Sequence, residues 1–172
     1  MLDLLFRRRS TRKFHNKEVT KEAINKIVTA ALLSPSSKNN RPWEFVVVDK
    51  PELMEQLSKS KPHGSKFLSN APIGIIVTGD PEKSDVWVED CSIASILIQL
   101  EAEKLGLGSC WVQIRERNHS ETETASEYIK KQFNIPANLE VLSVIGIGYK
   151  EKERNPLTEE SLLWDKIHSN KF

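Results

Sequence analysis

The stretch from Asp90 to Ile114 reads DCSIASILIQLEAEKLGLGSCWVQI, and the fold is best approached from it. Nine of the fifteen residues from Cys91 to Leu105 are apolar. At about 100° per residue the polar Ser92, Ser95, Gln99 and Glu103 fall on one narrow strip, which predicts a helix buried on most of its sides. Gly106 and Gly108 are expected to stop it, and Cys110-Trp111-Val112 to enter the core as a short strand. A helix apolar over so much of its girth needs partners on several faces. In a chain of 172 residues that places it both in the middle of the domain and at a subunit interface.

Working outward, length and composition set the frame. At 38% hydrophobic the chain can fill one core but not two, so a single domain over 1–172 is expected. The formal charge of +1 gives no bias toward nucleic acid or membrane, although five of the seven residues from Arg7 to Lys13 are basic. That cluster needs a local reason. Cys91 and Cys110 form no CxxC pair, and His15, His63, His119 and His168 lie far apart, so neither a disulfide nor a metal site is predicted. No apolar run is long enough for a signal peptide or a membrane span, which makes the cytoplasm the expected compartment.

The remaining elements follow from periodicity and punctuation. Leu2 to Arg9 suits a short helix with Leu2, Leu5 and Phe6 on one side. Thr20 is a good N-cap, with Val19 and Ile24 placed as a hydrophobic staple, for a second helix ending near Ser34-Pro35. PSSKNNRPW, residues 35–43, is a proline-bracketed polar loop of the kind that contacts ligands, and Glu44 to Val48 a β-branched strand. Pro51 opens a helix that Lys61-Pro62-His63-Gly64 breaks, and a turn at 66–70 precedes a buried strand from Ile73 to Thr78. Ala125 to Phe133 reads as a helix and Leu139 to Tyr149 as the last strand, with Gly146 and Gly148 where a flat group could approach the backbone. In the tail Thr158 is expected to cap an amphipathic helix with Leu162, Leu163 and Ile167. Without strict βαβ alternation the class is α+β, a central, largely antiparallel sheet of about four or five strands flanked by helices.

The common catalytic signatures are absent: there is no GxSxG and no GxxxxGK[ST], and neither glycine pair completes GxGxxG. What remains is a set of anion and hydrogen-bond donors: Arg8, Arg9, Ser10 and Arg12, then Ser36, Ser37 and Asn39, then Lys152 and Arg154. A phosphate is met by guanidinium groups with a hydroxyl or a backbone N–H, a polar heterocycle edge by amides and a cation. Each feature also has a plain use, as solvated charge, turn cap or, for Trp43 and Trp111, core.

RRRSTRKF at 7–14, SPSSKNNRPWEF at 34–45, Ala71-Pro72 before a strand, LGLGSCW at 105–111 and IGYKEKERNP at 147–156, in that order, resemble the FMN-dependent nitroreductase family over nearly the whole chain. The resemblance implies a dimeric nitroreductase-like fold. Arg8 would bind the flavin phosphate and Arg12 the pyrimidine edge, with Arg9 and Ser10 among the donors. Pro35, Ser36, Ser37 and Asn39 would reach the same flavin from the other subunit, the backbone from Trp111 to Gln113 would lie beside the isoalloxazine, and Lys152 and Arg154 would close on the phosphate. The tail, about 150–172, would pack on the partner. Arg41 stands where the family often has glutamine, Gln113 and Ile114 where many members have glycine or an acidic residue, and the insertions that cover the substrate in larger members are missing.

The expected activity is that of an FMN-dependent oxidoreductase taking hydride from NADH or NADPH at flavin N5 and passing it, in alternating half-reactions, to nitroaromatics, quinones or similar small acceptors. No side chain is singled out as catalytic. Two other readings are an FMN-binding storage or sensing protein without turnover, and a nucleic-acid module built on Arg7 to Lys13, which the neutral total charge disfavours.

Overall fold

The computed structural model describes residues 1–172. Its frame is one four-stranded sheet, every pairing antiparallel, built from β1 (Trp43–Val48), β2 (Ile73–Gly79), β3 (Leu107–Gln113) and β4 (Glu140–Tyr149) in the order β1-β2-β4-β3. β2 and β4, the central strands, are the apolar ones, as strands covered on both faces must be. Alternation sends Ile73, Ile75, Val77, Ile145 and Ile147 to one side, under α2 (Lys21–Leu32) and α4 (Trp87–Lys104). Ile76, Val112 and Val144 go to the other, under α3 (Pro51–Ser58) and α5 (Ala125–Phe133). A short α1 (Leu2–Arg7) leads into the segment 8–12, which lies along the free edge of β3 through a parallel bridge from Ser10 to Ser109.

Local signals account for the boundaries. Thr20 caps α2 by accepting from Ala23 N–H at 3.3 Å. Thr124 and Glu127 form a full capping box at the start of α5. That T-x-x-E signal stands in the sequence and places the start of α5 where the expectation had it. Gly106, at φ +76°, ends α4 in the left-handed region. Gly108 takes no part in that stop, contrary to expectation, and lies inside β3, which is longer than Cys110–Val112.

Three further expectations are corrected. The polar strip of α4 faces inward: Ser95, Gln99 and Glu103 are buried against the sheet, while Ile93 is exposed and Ile96, Leu97 and Leu100 are only half-buried. Ser95 donates to Cys91 O at 2.8 Å and lies 3.2 Å from the hydroxyl of Ser143 on β4, and Glu103 accepts from Lys150 at 2.9 Å, so these two inward polar groups are satisfied by hydrogen bonds. Gly146 and Gly148 are not open to a flat group, because a Cβ at Gly146 would meet Leu68 and Phe67, and one at Gly148 would meet Pro72 and Phe14. The tail forms no amphipathic helix. It has two single turns, at Glu159–Ser161 and Trp164–Lys166, the Thr158 side chain caps nothing, and every residue from Glu151 onward is exposed. A helix that short needs a surface to lie on, and this chain offers it none.

Candidate functional site

The donors expected at the N-terminus fall on two sides of the edge segment. Thr11 N–H donates to Ser109 O at 2.9 Å, fixing the segment's register on β3. Arg8, Ser10 and Arg12 gather around the buried thiol of Cys110, whose pKa is pushed up by burial and pulled back by Arg12, the Ser10 hydroxyl, Arg8 and Lys61. Arg9 and Thr11 point the other way, into a small pocket shared with Arg7, Lys150, Lys152, Arg154 and one acid, Glu153. Arg9 donates to Asn155 O at 3.3 Å, and Leu157 N–H to Phe6 O at 2.9 Å, so the start of the tail is tied to α1. The structure thus brings Arg9, Lys152 and Arg154 together, beside rather than within the Arg8–Arg12 cluster.

Lys61 belongs to this site and was not singled out from the sequence, where it reads only as part of a helix breaker. Its Nζ donates to Gln113 O at 2.9 Å, and burial, then Arg117, hold its pKa below the ordinary lysine value. Only tertiary folding swings the end of α3 against β3, so no local signal could have found it.

None of Arg8, Arg9, Arg12, Lys61, Lys152 and Arg154 forms an ion pair with any carboxylate of the chain. Arg8, Arg12 and Lys61, cations held together around Cys110, make a site for an anion, whereas Arg9, Lys152 and Arg154 share their pocket with Glu153. The edge of β3 supplies neutral donors as well. Peptide groups alternate in direction along a strand, and Ser109 O and Gln113 O both point away from β4, so the N–H groups of Trp111 and Gln113 point to the open edge too. The side chains of those two residues are occupied with each other: Trp111 Nε1 donates to Gln113 Oε1 at 2.9 Å and Gln113 Nε2 to Arg115 O at 2.9 Å. Guanidinium groups, a lysine, a hydroxyl and strand N–H groups fit a phosphorylated, polar-edged ligand such as FMN.

The second half-site is the loop 35–41. Ser37 N–H donates to Asp90 Oδ1 at 2.8 Å, and the other oxygen of this buried carboxylate accepts from Ser84 at 3.1 Å, so the loop is pinned to the first turn of α4. Lys38, Asn39 and Arg41 all take positive φ. Arg41 N–H donates to Ser36 Oγ and its Nε to Asn39 Oδ1, at 2.8 and 2.9 Å. Ser36 and Asn39 therefore spend one acceptor each inside the loop, whereas the Ser37 hydroxyl makes no bond and Pro35 is exposed. Trp43 is buried and stacks on Phe45 with ring centroids 5.4 Å apart, a core role.

One chain does not bring the two half-sites together. Trp43, just after the loop, stands opposite Gly79, which pairs with Glu140 at one end of the sheet. Ser109 stands opposite Ile147, which pairs with Ile73 at the other end. Three strand spacings across and six residues along separate the corners by roughly 14 Å and roughly 20 Å.

The model of the nitroreductase family matches residues 5–62 and 55–149. The chain belongs to the nitroreductase family. It is 38% identical over 175 residues to a Methanothermobacter thermautotrophicus protein named "Putative NADH dehydrogenase/NAD(P)H nitroreductase", spanning 100% of this chain and 87% of that one. Among solved structures it is similar to an FMN-dependent nitroreductase from Clostridium difficile R20291, with 45% identity, a TM-score of 0.98 and 100% of both chains covered. A nitroreductase family protein from Clostridium difficile 630 aligns at 26% identity and a TM-score of 0.83, over 100% of this chain and 99% of its own. The resemblance carried by the five sequence motifs is borne out, and with it the α+β, antiparallel-sheet class of this nitroreductase-family oxidoreductase. No helix is long and apolar enough to cross a membrane.

Proposed function

We propose that the protein is an FMN-dependent NAD(P)H oxidoreductase acting as a homodimer, which reduces small acceptors such as nitroaromatics and quinones in alternation with nicotinamide oxidation. The observation that carries this is the convergence of Arg8, Arg12 and Lys61, none paired with a carboxylate, on the open edge of β3. Bound there, FMN would supply the hydride chemistry. The chain's own part is to hold the phosphate with Arg8 and Ser10, and to set positive charge from Arg12 and Lys61 beside the ring edge that gains electron density, with Lys152 and Arg154 adding positive charge from the far side of the edge segment. The N–H groups of Trp111 and Gln113 would orient the ring along the strand.

The distance between the two half-sites supports a flavin shared by two chains, since Ser37 and Asn39 complete the site only from a partner. The exposed Ile93 with half-buried Ile96, Leu97 and Leu100 offers the apolar flank for that pairing. The tail, with Leu163, Trp164 and Ile167 in water, would find its cover on the partner.

Titration of the apoprotein with FMN, followed by anaerobic addition of NADH or NADPH, tests the reading. Tight binding and bleaching of the yellow spectrum are expected. No binding refutes it, and binding without bleaching favours storage or sensing. For the shared site, Ser37→Trp and Arg8→Glu variants should each bind FMN poorly, and mixed heterodimers should recover one intact site in two. Verified heterodimers with no recovery refute the sharing.

A further inference from the structure

The turn that follows β3 carries a charge that nothing in the chain answers. Ile114 and Arg115 N–H both donate to Leu142 O at 3.1 Å, Arg117 N–H to Ile114 O at 3.0 Å, and Ala125 N–H to Arg117 O at 2.8 Å. The turn is therefore held to β4 on one side and α5 on the other, with Glu116 between at φ 57°. Within it Arg115 is neutralised by Glu116 at 2.9 Å. Arg117, exposed, donates only to the Glu116 carbonyl at 2.7 Å. Of the acids in the following loop, Glu121 forms no ion pair and Glu123 leans on His119 at 3.9 Å.

Lys61 relates this arginine to the flavin half-site. It bonds to Gln113 O, within the strand that leads into the turn, and it feels both Cys110 and Arg117. His119 Nδ1 lies 3.0 Å from Lys59 O, so the loop after Arg117 packs on the segment that carries Lys61. Arg117, in the turn that continues β3 past Gln113, thus stands at the end of the strand along which the cofactor's ring would lie, beyond the donors expected to hold it. Its backbone is fixed, and its guanidinium keeps a planar fork suited to two oxygens of a carboxylate or phosphate.

We propose that Arg117 receives a negatively charged group, a carboxylate or a phosphate, of the small molecule that stacks at the β3 edge, so that this corner selects anionic over neutral substrates. The inference rests on the FMN oxidoreductase reading. Two sources share that chemistry, an acidic acceptor and the extra phosphate of NADPH, and they can be separated.

Steady-state kinetics of the FMN-loaded protein would compare 4-nitrobenzoate with 4-nitrobenzamide, and NADPH with NADH, for the wild type, Arg117→Gln, Arg117→Lys and Lys131→Gln. Lys131 loses the same charge from an exposed position on α5. For an exposed arginine, Arg117→Gln should lower kcat/KM for the anionic member of one pair by about three- to tenfold, mostly through KM, with the neutral member unmoved. Arg117→Lys should keep part of the preference, Lys131→Gln all of it, and FMN affinity should not change. A shift confined to the nitrobenzoate pair assigns the acceptor's carboxylate, and one confined to the nicotinamides assigns the phosphate. Normal FMN binding and bleaching with both ratios unmoved by Arg117→Gln overturns the inference and leaves the flavin reading standing. Failure of the wild type to bind FMN overturns that reading and this inference with it.

Discussion

Replacing Lys150 by methionine isolates what the buried ion pair at the foot of the site contributes. Lys150 leaves the end of β4 with its stem over Gly108, where a Cβ would come within 2.8 Å of Lys150 Cγ. Its Nζ donates to Glu103 Oε1 of α4 at 2.9 Å, with side-chain exposures of only 9% and 5%. Glu153 adds a contact at 3.2 Å from the solvent side. Methionine keeps most of the stem and removes the charge, leaving the Glu103 carboxylate inside without its partner. Breaking a buried pair from one side costs about 3–5 kcal/mol, whereas the exposed Glu153 contact is worth under about 1 kcal/mol. Urea denaturation at fixed protomer concentration should show Lys150→Met losing about 3–5 kcal/mol at neutral pH with an unchanged slope. Adding Glu103→Gln should recover most of that loss, because it removes the charge left without a partner. A single-variant loss below about 1 kcal/mol, or a double variant no more stable than the single one, refutes the reasoning.

Arg8→Ala should weaken FMN binding about ten- to a hundredfold by fluorescence titration, as loss of a charge-assisted contact does, and unchanged affinity would remove Arg8 from the site. Gly108→Ala sets a methyl 2.7 Å from the Thr11 side chain, so it should cost about 1–3 kcal/mol in urea denaturation and also weaken FMN, because Thr11 carries the Arg8–Arg12 segment. The Cys91 thiol, pushed up to about 12 chiefly by burial, should resist a disulfide reagent at pH about 8 until urea unfolds the chain, and prompt native labelling would contradict its place between α4 and the sheet. Glu127 is held below the usual glutamate range by the Thr124 backbone and hydroxyl, so its capping contribution is present above that range and fades as pH falls through the lowered value. Thr124→Ala should accordingly destabilise the protein measurably at neutral pH and less in acid.

Much of this architecture stands in the sequence because its causes are local. The cap at Thr20, the proline opening α3 and the β-branched runs at 44–48 and 73–78 each act within a few residues, and their elements lie where expected. The candidate site divides along the same line. Arg8, Ser10 and Arg12 are legible as a spaced motif, and the structure gathers them around Cys110. Lys61 is not legible, since a lysine beside a proline carries no sign of the strand it will touch. The glycines at 146 and 148 mislead for a similar reason: an apolar strand with glycines shows room beside the backbone, but not that Phe67, Leu68, Phe14 and Pro72 fill it. The tail fails as a helix because its apolar residues have no surface within their own chain, and periodicity cannot say whose surface they need.

The orientation of α4 was the other feature that pattern alone could not give. A strip of serine, glutamine and glutamate on an otherwise apolar helix reads as the outward face, yet here it turns inward because the sheet answers it, Ser143 for Ser95 and Lys150 for Glu103. That choice has a consequence for the site. Asp90 at one end of α4 holds the loop of Ser37 and Glu103 at the other end holds Lys150, while Ser109 on the following strand, β3, holds the Arg8–Arg12 segment. The serine half-site is thus tied to α4 directly and the cation half-site through the strand that α4 leads into, with the helix's apolar flank left free to meet another copy. In the proposed dimer the spacing between one chain's cations and the other chain's serines then depends on how those flanks pack.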